Sequence, residues 1–365
     1  MDILNTDNKE ITPYCLITDS LSIDEAIKIS KCKPKYADKL IIAIDHDTPS
    51  GTVEAAAKQR ILMNFSKQEN AEKFDYGHGI GYYVAMEKYL KKGDVLLGIG
   101  EHIATVGAAG ILGVRVDADT LTKVIESGSY ELKIPERLVI EFTGSFEPGV
   151  TSKDAVLSLI KDNAAIKGKL VIFKETECFS FYDKAVLCNL LHHAGVYSVV
   201  FTDDDVKADI IYDLANVKLS AVMPGGFEEI VPSSGIDGLR VNQVFIGGCM
   251  GGSIDAMRIA AGMLRGKKVD KYVRVMFAPA SSKVYEQMID EGIVDIIMDS
   301  GALLMNQGCS ACWAKSQGLV DDNEVFVTTG SINCRNWAGR SNNKIYITSV
   351  VTAVKCALTG NLYEN

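Results

Sequence analysis

Three cysteines lie in glycine-rich loops, and their type and spacing suit metal binding. Cys309 and Cys312 are separated by two residues in the loop QGCSACW, and Cys249 lies between pairs of glycines in IGGCMGG. Glycine allows the backbone to approach a bound group closely. Two thiolates from one turn and a third from a distant loop can hold an iron–sulfur cluster, or zinc with one position open. A redox-active pair and incidental buried cysteines remain as alternatives.

Short apolar strands alternate with amphipathic helices along the chain. The predicted strands include 170–174, 196–203, 243–248, 272–279 and 325–330. This alternation predicts parallel sheets covered by helices. Cys249 follows one of these strands and precedes a helix. We therefore expect it at the carboxyl edge of a sheet, where ligands collect in such folds.

The composition is that of an ordinary globular protein. Of 365 residues, 47% are hydrophobic and 23% are charged, so the chain can bury a large core. The net charge of −9 is spread along the chain, which argues against a nucleic-acid-binding surface. Neither an apolar run of about 18 residues nor a leader-like N-terminus is present. We expect a cytoplasmic protein without a membrane segment, whose nine cysteines are reduced.

Two clusters of glycine, proline and serine interrupt the periodic pattern, at 142–152 and at 231–238. Such clusters mark loops between periodic segments. They predict three α/β domains, over residues 1–143, 144–235 and 236–365.

Several segments together resemble the aconitase and 3-isopropylmalate dehydratase superfamily. IGGCMGGSIDAMRIAA is similar to IGSCTNxxxxDxRxAA, QGCSACW to GCGxC, and CRNWAGR to NRNFxGR, in the family's order. Earlier in the chain, DHDTPS resembles DHxxPT, GIGEHIATVGAAG resembles GxDSHTxTHGAxG, and SFYDKAVLCNLL resembles SMxxRxTxCNMxxE. The match runs from about residue 16 to the end. The chain is therefore identified as a divergent, large-subunit-like member.

The resemblance implies an aconitase-like large-subunit fold of three α/β domains, with mostly parallel sheets around a central site and without the swivelling domain. It implies a 4Fe-4S cluster on Cys249, Cys309 and Cys312, with one iron open to substrate. The other residues that it implies are the catalytic groups Asp45, His46 and His102, and the substrate-binding groups Arg335, Arg340, Ser180 and Asn189.

The roles of these residues follow the family. His46 would protonate the departing hydroxyl while Asp45 orients its ring. Arg335 and Arg340 would bind carboxylates, for which a guanidinium group is suited. Ser180 and Asn189 also suit helix capping.

The chain departs from the family pattern where the chemistry is expected. Glu101 replaces the serine of DSHT, Tyr82 replaces a histidine, and His193 replaces the glutamate that would pair with that histidine. Cys334 replaces the first asparagine of NRNFxGR. A thiolate from Cys334 or an imidazole from His193 is therefore an alternative fourth ligand, which would close the cluster or bind a different metal.

The resemblance implies the large subunit of a 4Fe-4S hydro-lyase that acts on a small hydroxy di- or tricarboxylic acid. The family's catalytic base lies in its swivelling domain, which has no counterpart in this sequence. A separate small subunit is therefore expected to supply the base. The alternative is a non-hydratase relative, a metal-binding or redox-sensing protein with a closed or different metal site.

Overall fold

Three sheets rich in parallel strands follow one another along the chain. The computed structural model describes residues 7–162, 164–236, 238–313, 317–340 and 342–362. Residues 1–6, part of the N-terminus considered above, lie outside these ranges. Within them, no helix is long and apolar enough to cross a membrane.

The first sheet is fully parallel. The elements in this part are β1 (Asn8–Ile11), β2 (Tyr14–Thr18), α1 (Ile23–Ile29), β3 (Leu40–Ile44), α2 (Val53–Gln68), β4 (Lys73–Tyr76), α3 (Gly81–Lys88), β5 (Val95–Gly98), β6 (Leu112–Arg115), α4 (Ala118–Ser127) and β7 (Tyr130–Lys133). The strand order is β4-β3-β2-β5-β6, with β1 and β7 as a separate antiparallel pair. The strands β3 and β5 are buried along their whole length. Two apolar clusters cover the two faces of the sheet, as expected for parallel strands.

The second sheet has four parallel strands in the order β10-β9-β8-β11. Its elements are β8 (Arg137–Thr143), α5 (Ser152–Asp162), β9 (Leu170–Lys174), α6 (Phe181–Leu190), β10 (Ser198–Thr202) and β11 (Ile210–Asp213). The apolar cluster under α5 and α6 extends to Cys249 and Met250 of the third part. The second sheet is thus packed against the segment that carries the first cysteine.

The third sheet has seven strands in the order β13-β12-β19-β18-β15-β16-β17, parallel except at β12 and β13. The elements are β12 (Ser220–Val222), β13 (Ile230–Pro232), β14 (Leu239–Arg240), β15 (Gln243–Gly247), α7 (Gly248–Gly251), α8 (Ile254–Leu264), β16 (Arg274–Ala278), α9 (Ser282–Asp290), α10 (Ile293–Ser300), β17 (Leu303–Leu304), β18 (Val325–Thr328), β19 (Lys344–Thr348), α11 (Val350–Thr359) and β20 (Asn361–Leu362). Short 3-10 segments include Ile103–Ala109, Leu191–Ala194 and Ser310–Cys312.

The predicted α/β architecture with mostly parallel sheets is confirmed, and a strand occupies each of the five predicted ranges. The sheets change between Lys133 and Arg137 and between Asp213 and Ser220. These points precede the predicted domain boundaries at 143 and 235, because β8 already belongs to the second sheet and β12 to the third. The division of the chain into three independent domains stays a prediction.

Candidate active site

One cavity of about 410 Å³ lies where the carboxyl ends of strands from the first and third sheets meet. Loops after β2, β3 and β5 line one side, and loops after β15, β17 and β18 line the other. At this edge of an open α/β sheet the chain turns away into helices and leaves room for a ligand. The cavity therefore brings together side chains that are far apart in sequence.

The three predicted ligands Cys249, Cys309 and Cys312 all line this cavity. The thiol of Cys249, directly after β15, is 3.8 Å from the Ser331 hydroxyl. The N–H of Cys309 donates to the carbonyl of Asp45 (3.1 Å), and that of Cys312 donates to the carbonyl of Cys309 (3.0 Å). The paired cysteines and the distant third one thus meet at one site.

Two glycines allow the cysteine loops to approach each other. Gly248 has a φ of +66°, in the left-handed region, and a Cβ there would stand 3.3 Å from the Cβ of Cys312. At Gly330, on the loop after β18, a Cβ would lie 2.9 Å from the Cys312 sulfur. Side chains at these positions would crowd the Cys312 thiol.

Cationic side chains lie near the buried thiols. Burial raises the pKa of the Cys309 thiol to about 12 and that of Cys312 to about 11. His46 counteracts this effect at Cys309, and Lys153 counteracts it at Cys312. Metal binding requires thiolates. The two cations therefore favour the form of the cysteines that a metal needs.

Asp45 and His46, which are predicted to be catalytic, follow β3 and both line the cavity. The Oδ1 of Asp45 is hydrogen-bonded to Nδ1 of His46, and its Oδ2 accepts the N–H of Gly81 (2.6 Å). Burial opposes the imidazolium, but Asp45, Cys309 and Asp19 outweigh it and raise the pKa of His46 well above its usual value. His46 is therefore protonated at neutral pH and can donate a proton.

Asp19, which the sequence did not reveal, organises the loop of Asp45 and His46. Its buried carboxylate follows β2 and accepts the N–H groups of Asp45 (2.9 Å), His46 (2.9 Å) and Asp47 (3.1 Å). Nδ1 of His46 lies 3.4 Å from its Oδ1. Burial favours the neutral acid, but His46 and the N–H donors prevail and lower the pKa of Asp19. An ionised carboxylate thus holds the loop that carries Asp45 and His46.

His102, which is predicted to be catalytic, also lines the cavity, and its ring is neutral. Burial and the neighbouring His193 and His192 lower its pKa well below the usual value. Its Nε2 is 3.1 Å from the Ser331 hydroxyl, whereas its Nδ1 is buried without a hydrogen-bond partner. Nε2 of His102 thus contacts the hydroxyl of a second residue of the cavity lining.

Asn189 and His193 lie in the layer behind the cavity. The Nδ2 of Asn189 donates to Oη of Tyr82 (3.3 Å) and to Oγ1 of Thr105 (2.9 Å). Tyr82 lines the cavity, so Asn189 acts on the site through this tyrosine. The ring of His193 stacks on Phe227 with centroids 3.7 Å apart, and burial lowers its pKa to about 3.

The structure does not bring the two predicted arginines into the cavity. Arg335 and Arg340 are exposed and do not line it, although Cys334 and Trp337 from the same loop do. The guanidinium group of Arg340 instead lies 3.3 Å from a carboxylate oxygen of Asp321. Substrate binding by these arginines stays a prediction.

Ser180 also lies outside the cavity lining and begins α6. Its hydroxyl accepts the N–H of Asp183 (3.2 Å), and Asp183 in turn accepts the N–H of Ser180 (3.0 Å). This reciprocal pair is a capping box, which accounts for the serine without a substrate.

The arrangement of donors fits an iron–sulfur cluster, whose ligands are cysteine thiolates. In the described ranges, the set of three His, Cys, Asp or Glu ligand atoms within 4.8 Å of one another is Asp45, His46 and Cys309. The three thiols do not form such a set, although they line the same cavity. Zinc bound at about 2.3 Å from each sulfur would hold them about 4 Å apart. Their wider spacing suits a larger inorganic group.

Comparison with known proteins identifies the family. The model of the Aconitase family (aconitate hydratase) matches residues 10–213 and 218–360. The 3-isopropylmalate dehydratase large subunit 1 of Deinococcus radiodurans is 31% identical over 358 residues, 90% of this chain and 81% of that protein. The homoaconitase large subunit of Thermus thermophilus is 29% identical over 374 residues, 95% of this chain and 90% of that protein.

A solved structure supports the same fold. The holo-form of aconitase X from Thermococcus kodakaraensis covers 98% of this chain and 92% of its own, with a TM-score of 0.59 at 12% identity. The family match and the large-subunit relatives confirm the superfamily and the hydro-lyase class that the motifs predict. The chain belongs to the aconitase family.

Proposed function

We propose that the chain is the large subunit of a 4Fe-4S-dependent hydro-lyase that acts on a small hydroxy di- or tricarboxylic acid. The observation that carries the proposal is the meeting of three thiols with a protonated histidine in one cavity. Ligand atoms of Asp45, His46 and Cys309 lie within 4.8 Å of one another. A substrate held at the cysteines would therefore be within reach of the acid.

Cys249, Cys309 and Cys312 would hold the cluster. When bound, such a cluster supplies an iron that acts as a Lewis acid toward the substrate hydroxyl. His46 would give its proton to the departing hydroxyl. Since Nδ1 faces Asp45 and Asp19, Nε2 is the nitrogen assigned to the substrate. Asp45 would hold the ring in this orientation and stabilise its charged form.

The substrate and the partner are inferred from the cavity lining and from the relatives. No lysine or arginine of the described ranges lines the cavity. A carboxylate in a largely apolar cavity needs a cation, because an unpaired buried charge is costly. Relatives named as large subunits support a second, smaller chain, which would supply that cation and the catalytic base.

The proposal is tested by anaerobic reconstitution of the chain with iron and sulfide. Iron and sulfide counts, absorption and paramagnetic-resonance spectra are measured for the wild type, Cys309→Ser and Cys178→Ser. Cys178 is exposed and outside the cavity lining, so it serves as the matched control. We expect a cluster in the wild type and the control and loss of it in Cys309→Ser. A wild-type chain without bound iron and sulfide would contradict the proposal.

The reaction is tested on the reconstituted chain together with candidate small subunits. Hydration and dehydration of malate-like hydroxy acids are followed by the absorbance of the unsaturated product. We expect turnover only when the second chain is present. Full turnover by this chain alone would refute the separate small subunit.

A second candidate function is a metal protein whose cluster has a fourth protein ligand. One observation favours it: Cys334 lines the same cavity as the three other cysteines. His193 is the weaker choice of ligand, since its ring stacks on Phe227 behind the cavity wall. Paramagnetic resonance of wild type and Cys334→Ser separates the two functions. A spectrum altered by the substitution, with no effect of added substrate on the wild type, would favour the closed site.

A further inference from the structure

A buried lysine beside the cysteines has no role in the proposed reaction. Lys153 lies in the first turn of α5 and is 5% exposed. The neighbouring Asp154 attracts its ammonium group, but the effect of burial is larger. Lysine is almost never fully buried unless it is paired, because removing its charge from water is costly. Its position therefore needs a compensating interaction.

The ammonium group of Lys153 binds the turn after β18. Its Nζ donates to the carbonyl of Thr329 and to that of Gly330 (3.1 Å). The turn is also fixed to the neighbouring strand β15. The N–H of Thr329 donates to the carbonyl of Phe245 (2.9 Å), and its Oγ1 accepts the N–H of Gly247 (3.0 Å). Lys153 thus links α5 of the second sheet to the third sheet.

This turn touches both cysteine loops. A Cβ at Gly251, two residues after Cys249, would overlap Oγ1 of Thr329 at 1.9 Å. A Cβ at Gly330 would be 2.9 Å from the Cys312 sulfur. The next residue, Ser331, places its hydroxyl 3.8 Å from the Cys249 sulfur. A shift of this turn would therefore displace both cysteine loops.

The charge of Lys153 is complementary to the thiolates. Burial lowers its pKa to about 8, and attraction to Cys249 and Cys312 opposes this effect. It is therefore still protonated at neutral pH. His46 is the cation near Cys309, so the two cations serve different cysteines.

We propose that Lys153 is a positioning residue of the cluster site, which clamps the Thr329–Ser331 turn against both cysteine loops and supplies positive charge to Cys249 and Cys312. This inference rests on the proposed cluster. A positive charge stabilises the more negative, reduced form of a bound cluster and raises its reduction potential. Groups that support metal ligands from behind commonly change metal affinity by about 10- to 100-fold when removed.

The test compares Lys153→Met with the wild type and with Lys161→Met, an exposed position in the last turn of the same helix. Each full-length chain is reconstituted anaerobically, and its reduction potential and the rate of iron loss to a chelator are measured. We expect Lys153→Met to lose iron about 10-fold faster or more. Its potential should be lower, by about 59 mV for each tenfold change in the one-electron equilibrium.

The outcomes separate this inference from the proposed function. Equal potentials and equal iron loss in Lys153→Met and Lys161→Met would overturn the role of Lys153 and leave the cluster intact. Absence of iron and sulfide from the wild type would overturn both. If Lys153→Met does not fold, Lys153→Gln replaces it, since glutamine keeps a hydrogen-bond donor without the charge. We expect its reduction potential to be lowered as well. An unchanged potential in this variant would overturn the inference.

Discussion

Replacing Asp45 by asparagine tests the acid pair most directly, because it removes the charge opposite His46 and keeps the shape. An uncharged hydrogen bond contributes about 1 kcal/mol and one to a charged group about 1.5–3 kcal/mol. The variant thus loses about 1–2 kcal/mol of support for the imidazolium. Because about 1.4 kcal/mol corresponds to a tenfold change in rate, turnover should fall roughly 5- to 30-fold.

The pH dependence identifies the cause of this loss. In the folded wild type the pKa of His46 is raised, so an acid at this position stays protonated, and activity persists, above the ordinary histidine pKa of about 6.5. The stability contributed by His46 is likewise fully present below that value and is lost as the pH rises through the folded pKa. In Asp45→Asn the alkaline limb of the turnover profile should move to lower pH.

The assay is the pH profile of turnover, together with a nuclear magnetic resonance titration of the ring, which is tractable because the chain has five histidines. Asp75→Asn is the matched control. Asp75 is 2% exposed and lies 3.1 Å from Nζ of Lys88, outside the cavity lining. We expect the control variant to be less stable but to have the alkaline limb of its turnover profile at the same pH as the wild type. An unmoved limb in Asp45→Asn would refute the assignment of His46 as the acid.

Three further substitutions separate positioning from packing. Asp19→Asn should lower the free energy of unfolding by about 1.5–3 kcal/mol, measured by denaturant titration at several pH values. Because the pKa of Asp19 is lowered in the folded chain, the stability difference between wild type and variant should be complete above about pH 4 and decline below it. Ser180→Ala should cost about 0.5–2 kcal/mol of stability and leave KM unchanged, since the serine caps α6; a raised KM would restore its substrate role. Gly330→Ala should reduce iron after reconstitution because its Cβ meets the Cys312 sulfur at 2.9 Å, whereas Gly262→Ala, in open space on α8, should not.

The fold could be predicted from the sequence because each buried strand is marked by its own short run of apolar residues. The buried parallel strands are apolar runs, so the predicted range 170–174 coincides with β9 (Leu170–Lys174), and 243–248 differs from β15 by one residue. Boundaries between sheets are not local. β8 follows a loop without glycine or serine and pairs with strands later in the chain, so only its partners reveal which sheet it joins.

That the three cysteines would meet at one site could also be predicted, because glycine and cysteine at this spacing form a recognisable sequence motif. Asp19, Lys153 and Ser331 could not be predicted, because each acts through a contact with a distant loop. Asp19 follows an apolar strand, as many surface residues do, and only the structure shows that it receives three N–H groups of the loop after β3. Arg335 and Arg340 illustrate the reverse case, in which a motif match does not bring a side chain into the cavity of this chain.

The charges in the cavity indicate which groups the proposed small subunit would have to provide. His102 and His193 are neutral because burial lowers the pKa of each. His46 is the cationic side chain among the described residues that line the cavity, and it is already committed to two aspartates. Lys153 faces the thiols from behind the wall rather than the cavity. The proposed dicarboxylate substrate would therefore meet an acid but no free cation among the described residues of the cavity lining. In the proposed complex, basic groups of the small subunit would bind its carboxylates.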